Sequence, residues 1–199
     1  WNYYGEYAVK LNDPIGSLTA EGNNYANGNA IANNISYSTR GLGISVEMHR
    51  IDHMEFRSER AKEKQYIFNY IPTLTKQHTY SLLALYPCAT QAEGEFGTQI
   101  DIFYKINKGT LLGGKYGTKI NFNMSNIKGL EKSIIVDSED NTIRNVSNSF
   151  KNDYNNFTPE FYSKNGELFF KDINIEIYKK LSSKMKLNLI LAKQSYNKD

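Results

Sequence analysis

Residues 41–49 read Gly-Leu-Gly-Ile-Ser-Val-Glu-Met-His. Leu42, Ile44, Val46 and Met48 occupy alternate positions, with Gly43, Ser45, Glu47 and His49 between them. Side chains on a strand alternate faces, so this stretch is a strand with one apolar and one polar side.

The same period recurs along the chain. In 95–106, Phe96, Ile100, Ile102, Tyr104 and Ile106 oppose Gln99, Asp101 and Lys105. In 115–125, Tyr116, Ile120, Phe122 and Met124 oppose Lys119, Asn121, Asn123 and Ser125. Toward the end, Phe169, Ile173, Ile175 and Ile177 oppose Asp172, Asn174 and Glu176. Met185, Leu187, Leu189 and Leu191 then oppose Lys186, Asn188 and Gln194. Further strands are expected at 1–10, 30–39, 65–71 and 77–86, for roughly nine strands of about ten residues, the length that crosses a bilayer at a tilt.

The connections alternate in length. Thr39-Arg40-Gly41 is a tight turn, whereas 12–28, 50–64 and 126–166 are long, polar and rich in Asn, Ser, Gly or charge. An irregular loop as long as 126–166 is unusual in a compact soluble domain and routine on the external side of an outer-membrane barrel. The expected fold is therefore all-β: an antiparallel up-and-down transmembrane β-barrel with short periplasmic turns and long external loops. Tyrosines at strand ends (Tyr37, Tyr66, Tyr86, Tyr116, Tyr178, Tyr196) are expected in the aromatic girdles. A soluble β-sandwich adhesin also has alternating strands and is the competing architecture.

Composition agrees with a wet interior. The chain has 199 residues, 40% apolar and 13% aromatic, with 15 tyrosines and a net charge of +3. That charge is too small and too mixed to point to nucleic acid. No apolar run reaches the ~18–20 residues of a membrane helix, so strands must do any crossing. Both ends read as strand, so the whole of 1–199 is expected to be part of one barrel domain, truncated at both ends. Such a piece is not expected to fold alone, because an unclosed barrel leaves two bare edges.

Catalytic motifs fail on inspection. Residues 109–116 nearly match a phosphate loop, but Tyr116 stands where Ser or Thr must hold magnesium, and a strand follows instead of a helix. Glu47, His49, Asp52, His53 and Glu55 are a possible metal cluster, but three of the five lie in loop sequence. Glu47, Asp101, Asp172 and Glu176 could supply a glycosidase pair, yet they interleave with Lys105, Lys119 and Lys186 as a hydrated lumen would. The single cysteine, Cys88, has no His and Asn context for a nucleophile. The charged run 55–60 reads as a solvated loop. No enzymatic activity, metal or cofactor is expected.

Four segments together, Glu-Phe-Arg-Ser-Glu-Arg (55–60), 75–87, Leu-Leu-Gly-Gly-Lys-Tyr-Gly-Thr (111–118) and 171–189, resemble an uncharacterised domain-of-unknown-function family of Bacteroidota outer-membrane β-barrel proteins. The resemblance runs through most of the chain in order and implies a barrel in the outer membrane of a Gram-negative bacterium. It brings no catalytic or binding residues with it. The expected role is a pore for small solutes or a scaffold for envelope assembly. The alternative is a receptor that uses loops 12–28 and 126–166 to hold a protein or glycan. The expected partners are outer-membrane lipid and other envelope proteins. The expected lumen-facing residues are Glu47, His49, Asp101, Lys105, Lys119 and Glu176, because charges lining a lumen set ion preference. Bulky, charge-paired interior groups would indicate a plugged scaffold, and an open polar ring a channel.

Overall fold

The structure, a computed structural model, describes residues 1–14, 25–58, 67–68, 71–79, 81–84, 88–92, 94–130, 135–136, 143–144 and 166–197. In chain order its elements are β1 (Asn2–Pro14), β2 (Tyr25–Thr39), β3 (Leu42–Asp52), β4 (Phe56–Arg57), β5 (Ile67–Phe68) and α1 (Ser81–Ala84). They continue as β6 (Gly94–Ile106), β7 (Thr118–Gly129), β8 (Ile135–Val136), β9 (Ile143–Arg144), β10 (Leu168–Lys180) and β11 (Lys186–Tyr196).

Seven of the strands form one antiparallel meander in the order β1-β2-β3-β6-β7-β10-β11. The fold is all-β and up-and-down, with each long strand hydrogen-bonded to the next long strand in the chain. The sheet is open, because β1 and β11 do not pair with each other. β4-β5 and β8-β9 are separate two-stranded ribbons.

Among the described residues, two of the nine expected strands do not join this sheet. Among the described residues of 65–71, Ile67–Phe68 is a strand that pairs with Phe56–Arg57 rather than joining the meander. Of 77–86, Ser81–Ala84 is a turn of helix. Alternation over a few residues does not commit a segment to a sheet when no neighbouring edge is free, and β3 already pairs directly with β6. Elsewhere strands run further than expected: β1 reaches Pro14 and β7 reaches Gly129. Tyr66 and Tyr86, and nearly all of the 12–28 and 126–166 loops beyond the strand ends, lie outside the described residues.

All short connections lie at one end of the sheet. Leu42 is opposite Tyr104, Ile106 opposite Thr118, and Thr118 opposite Lys179, so the β2-β3, β6-β7 and β10-β11 turns share a rim. Gly41, at φ 86°, closes the tightest of them, in a region that a residue with a Cβ enters only at a cost. The long connections leave from the opposite rim.

Register assigns every side chain to a face. Ile35, Val46, Ile100, Met124 and Ile173 form one row across the sheet, and Ile44, Ile102, Phe122, Ile175 and Leu191 the next. Asn34, Glu47, Gln99, Ser125, Asp172 and Gln194 form a row on the other face. Burial runs opposite to that of a soluble protein. On β10, Asp172, Asn174 and Glu176 are buried, while Ile173, Ile175 and Ile177 remain partly open. Ile35, Val46, Leu189 and Leu191 on the apolar face are at least 40% exposed. Among the described residues, no second sheet covers that face.

One expected inside-outside assignment is reversed. A bulge in β10 sets Leu168 opposite Lys128 and Phe170 opposite Ile127, so two residues of β10 span one of β7. The extra residue interrupts the alternation, and Phe169 packs with Cys88, Ile127 and Phe170 instead of joining Ile173 on the apolar face. Tyr178 and Tyr196, expected in the girdles, share the polar face with Asn188 and Phe170.

Candidate functional site

The buried polar face is the candidate site. The described parts of the segment between β5 and β6, residues 71–79, 81–84 and 88–92, contact it through a series of side-chain bonds. Lys76 Nζ donates to Asn174 Oδ1 at 3.0 Å and to Glu176 Oε1 at 2.8 Å. His78 Nε2 pairs with Asp172 Oδ2. Gln194 Nε2 donates to Leu83 O at 3.1 Å. At the long-loop end, Glu95 is fully buried between His49 Nε2, 2.6 Å away, and the Gln91 amide, also 2.6 Å away. Gly97 brings its strand close beneath this segment: a Cβ there would lie 2.6 Å from His49 Nε2 and 3.3 Å from a Leu74 methyl.

The sheet binds itself on the same face. Asp101 accepts from Gln99 Nε2 at 2.8 Å and Asn123 Nδ2 at 2.7 Å, and Asn123 Oδ1 accepts from Asn174 Nδ2 at 3.1 Å. Glu47 accepts from Asn34 Nδ2 at 2.8 Å. Tyr178 donates its hydroxyl to Glu176 Oε2 at 2.8 Å. A buried carboxylate is tolerable when donors of this kind surround it, and the donors here come from β2, β3, β6, β7 and β10 and from the covering segment.

All six expected lumen residues, Glu47, His49, Asp101, Lys105, Lys119 and Glu176, lie on this face. They do not form a single site. His49 belongs to the Glu95 pair, Asp101 to the Asn123 chain and Glu176 to Lys76, while Lys105 and Lys119 sit directly opposite one another near the short-turn rim. The expected lumen set omits Glu95, Asp172 and Asn174, although alternation with Phe96 and Ile173 places all three on the polar face. It also omits Lys76 and His78, which lie outside the sheet where no periodicity identifies them.

The side chains weighed as a possible metal cluster, Glu47, His49, Asp52, His53 and Glu55, do not gather at one place. Asp52 pairs with His53 Nδ1 at 2.6 Å and with Arg50 Nη2 at 3.3 Å, on the face opposite Glu47 and His49. Among the described residues no three His, Cys, Asp or Glu side chains converge as metal ligands. Burial, and secondarily the charge of Glu95, pushes the Cys88 thiol up to about 11. That is the reverse of what an activated nucleophile requires.

Among the described residues, the polar face borders open space at both of its ends. One space, about 580 Å³, lies by β1 and β2 and is lined by Ala8, Ala30, Ala32, Met54 and Leu74, with Glu6 among its polar groups. The other, about 600 Å³, lies at the short-turn rim around Lys105, Lys119 and Lys186.

A family model described as a family of unknown function (DUF6029) matches residues 1–199, and the chain belongs to that family. Comparison with curated proteins and with solved structures finds no match.

Proposed function

We propose that this chain is part of a transmembrane β-barrel in the outer membrane of a Gram-negative bacterium, with an interior filled as a plugged scaffold rather than left open as a pore. The inverted polarity of the sheet carries the reading: the face bearing Asp172, Asn174 and Glu176 is buried, and the face bearing Ile173, Ile175 and Ile177 is not. In water such an apolar face would be an aggregation liability, and in lipid it is the required outer surface. A sandwich would bury those isoleucines against a second sheet. The described residues place seven strands in the sheet, one fewer than the smallest single-chain barrels use, and closure takes further pairing at the edges of β1 and β11.

The covering segment favours the plugged form. Lys76, His78 and Leu83 are tied to the polar face between β10 and β11, where an open channel would carry water. A scaffold for envelope assembly with lipid and protein neighbours fits this interior better than passive transport.

The test is conductance of the full-length protein in a planar bilayer, after its folded insertion has been verified by protease resistance. The expected result is a silent membrane. Steady, salt-dependent steps from the unaltered protein would overturn the plug. A protein that stays soluble without detergent and does not insert would overturn the barrel itself.

A further inference from the structure

The short-turn end of the polar face holds an arrangement that the plugged-scaffold reading does not use. Lys105 is directly opposite Lys119 on the neighbouring strand, and Lys180 is directly opposite Lys186. Like charges in directly opposed positions destabilise a sheet, and here two such pairs lie on one face at one end. They border a groove of about 600 Å³ whose described lining includes five lysines and no carboxylate. The carboxylate further along the same face, Glu176, is already engaged by Lys76 and Tyr178.

The walls of the groove are built structure. Lys179 Nζ donates to Leu112 O at 3.2 Å, fastening the β6-β7 turn to β10. Lys180 Nζ stands 4.8 Å over the Tyr116 ring, which positions one of the ammonium groups. Phe103, Tyr116 and Tyr178 supply apolar surface between the charges. The volume is that of an ordinary small-molecule site.

We propose that this groove binds a compact multivalent anion, one carrying two or more phosphoryl groups, with Lys105, Lys119 and Lys186 as its principal contacts. An anion placed among them converts mutual repulsion into charge-assisted hydrogen bonds. The phosphoryl groups are those of a soluble solute or of a lipid headgroup. The inference does not depend on the barrel, because the register that gathers the lysines is a property of the sheet.

The test is calorimetric titration of the full-length protein in neutral detergent with inorganic tripolyphosphate. Saturable binding that weakens as salt is raised is expected. K105Q/K119Q is expected to weaken it about tenfold or more, while K105R/K119R largely retains it. K171Q/K193Q removes two lysines from the opposite face and is expected to leave binding unchanged. Each variant is compared at equal thermal stability, so that loss of fold is not read as loss of the site. Binding by tripolyphosphate alone assigns the site to a soluble ligand. Binding only of micelles doped with cardiolipin, a lipid with two phosphates, lost in K105Q/K119Q, assigns it to a headgroup. No binding of either probe, or binding that K105Q/K119Q leaves intact, would overturn the proposal.

Discussion

Lys76 and Glu176 are 100 residues apart in the chain, yet Lys76 Nζ lies 2.8 Å from Glu176 Oε1. The contact joins the covering segment to the centre of β10, and its side chains are only 23% and 11% exposed. Removing one partner strands the other in a poorly hydrated place. K76M is expected to lower stability by about 1–3 kcal/mol, since Tyr178 still donates to the carboxylate. E176Q should cost less, because an amide oxygen still accepts from Lys76. Urea unfolding in detergent micelles measures both. Hydrogen exchange should then locate the K76M loss in 71–92 before the strands. Equal deprotection of β7 and β10 would show that the segment is not a separable cover.

The apolar face makes a different demand. Ile175 lies mid-strand in a row with Phe122 and Leu191. If lipid covers that row, a lysine there must carry its charge into hydrocarbon. I175K is expected to cost about 2–4 kcal/mol near the bilayer midplane. Refolding equilibria in lipid vesicles give the number. Full tolerance of the lysine would remove Ile175 from the lipid-facing midplane.

The strand text was readable because one face of each strand is uniformly apolar, and a period of two survives even when the environment is inverted. That is why β3, β6, β7, β10 and β11 are recognisable from residues such as Ile44, Ile102, Phe122, Ile175 and Leu189. Alternation says which residues share a face but not which face is covered, so polarity alone leaves a barrel and a sandwich equally drawn. The described residues of 71–84 depart from expectation for a related reason: the Tyr and Leu spacing of 77–86 imitates a strand, but Lys76, His78 and Leu83 bond to Glu176, Asp172 and Gln194, far away in sequence. The bulge that turns Phe169 inward is likewise a matter of register against β7, and nothing local to Phe169 announces it.

Gly28 is placed where the β2 backbone meets the chain just beyond β3. A Cβ built on it would lie 2.1 Å from the carbonyl oxygen of His53, a backbone atom that cannot rotate away. His53 itself has φ 51°, so this corner is already tightly fixed. G28A is expected to cost about 1–3 kcal/mol through forced backbone displacement. G43A supplies the comparison, since its nearest contact would be the Phe103 Cβ at 3.8 Å, an ordinary packing distance. Thermal denaturation of the two variants should rank G28A clearly lower. Equal melting would mean that the corner can open without loss.

Cys88 gives a prediction whose sign follows from its surroundings. Burial disfavours the thiolate, and the negative charge of Glu95 adds to that, so the thiol is raised from 9.0 to about 11. Alkylation by iodoacetamide should be slow at pH 8 and climb only as pH approaches the folded value, because the thiolate is the reacting species. The linkage runs the same way. The folded state holds its proton through a range in which the unfolded thiol has already lost it, so stability is unaffected below about pH 8.5 and falls as pH rises toward 11. C88A should remove that part of the alkaline decline. Replacing Glu95 by Gln should lower the thiol pKa only modestly, since burial is the larger cause, while depriving His49 of its charged partner. A thiol that reacts readily at pH 8 in the folded protein would place Cys88 outside the packed cluster of Ile127 and Phe170, and with it the anchoring of 88–92 against the sheet.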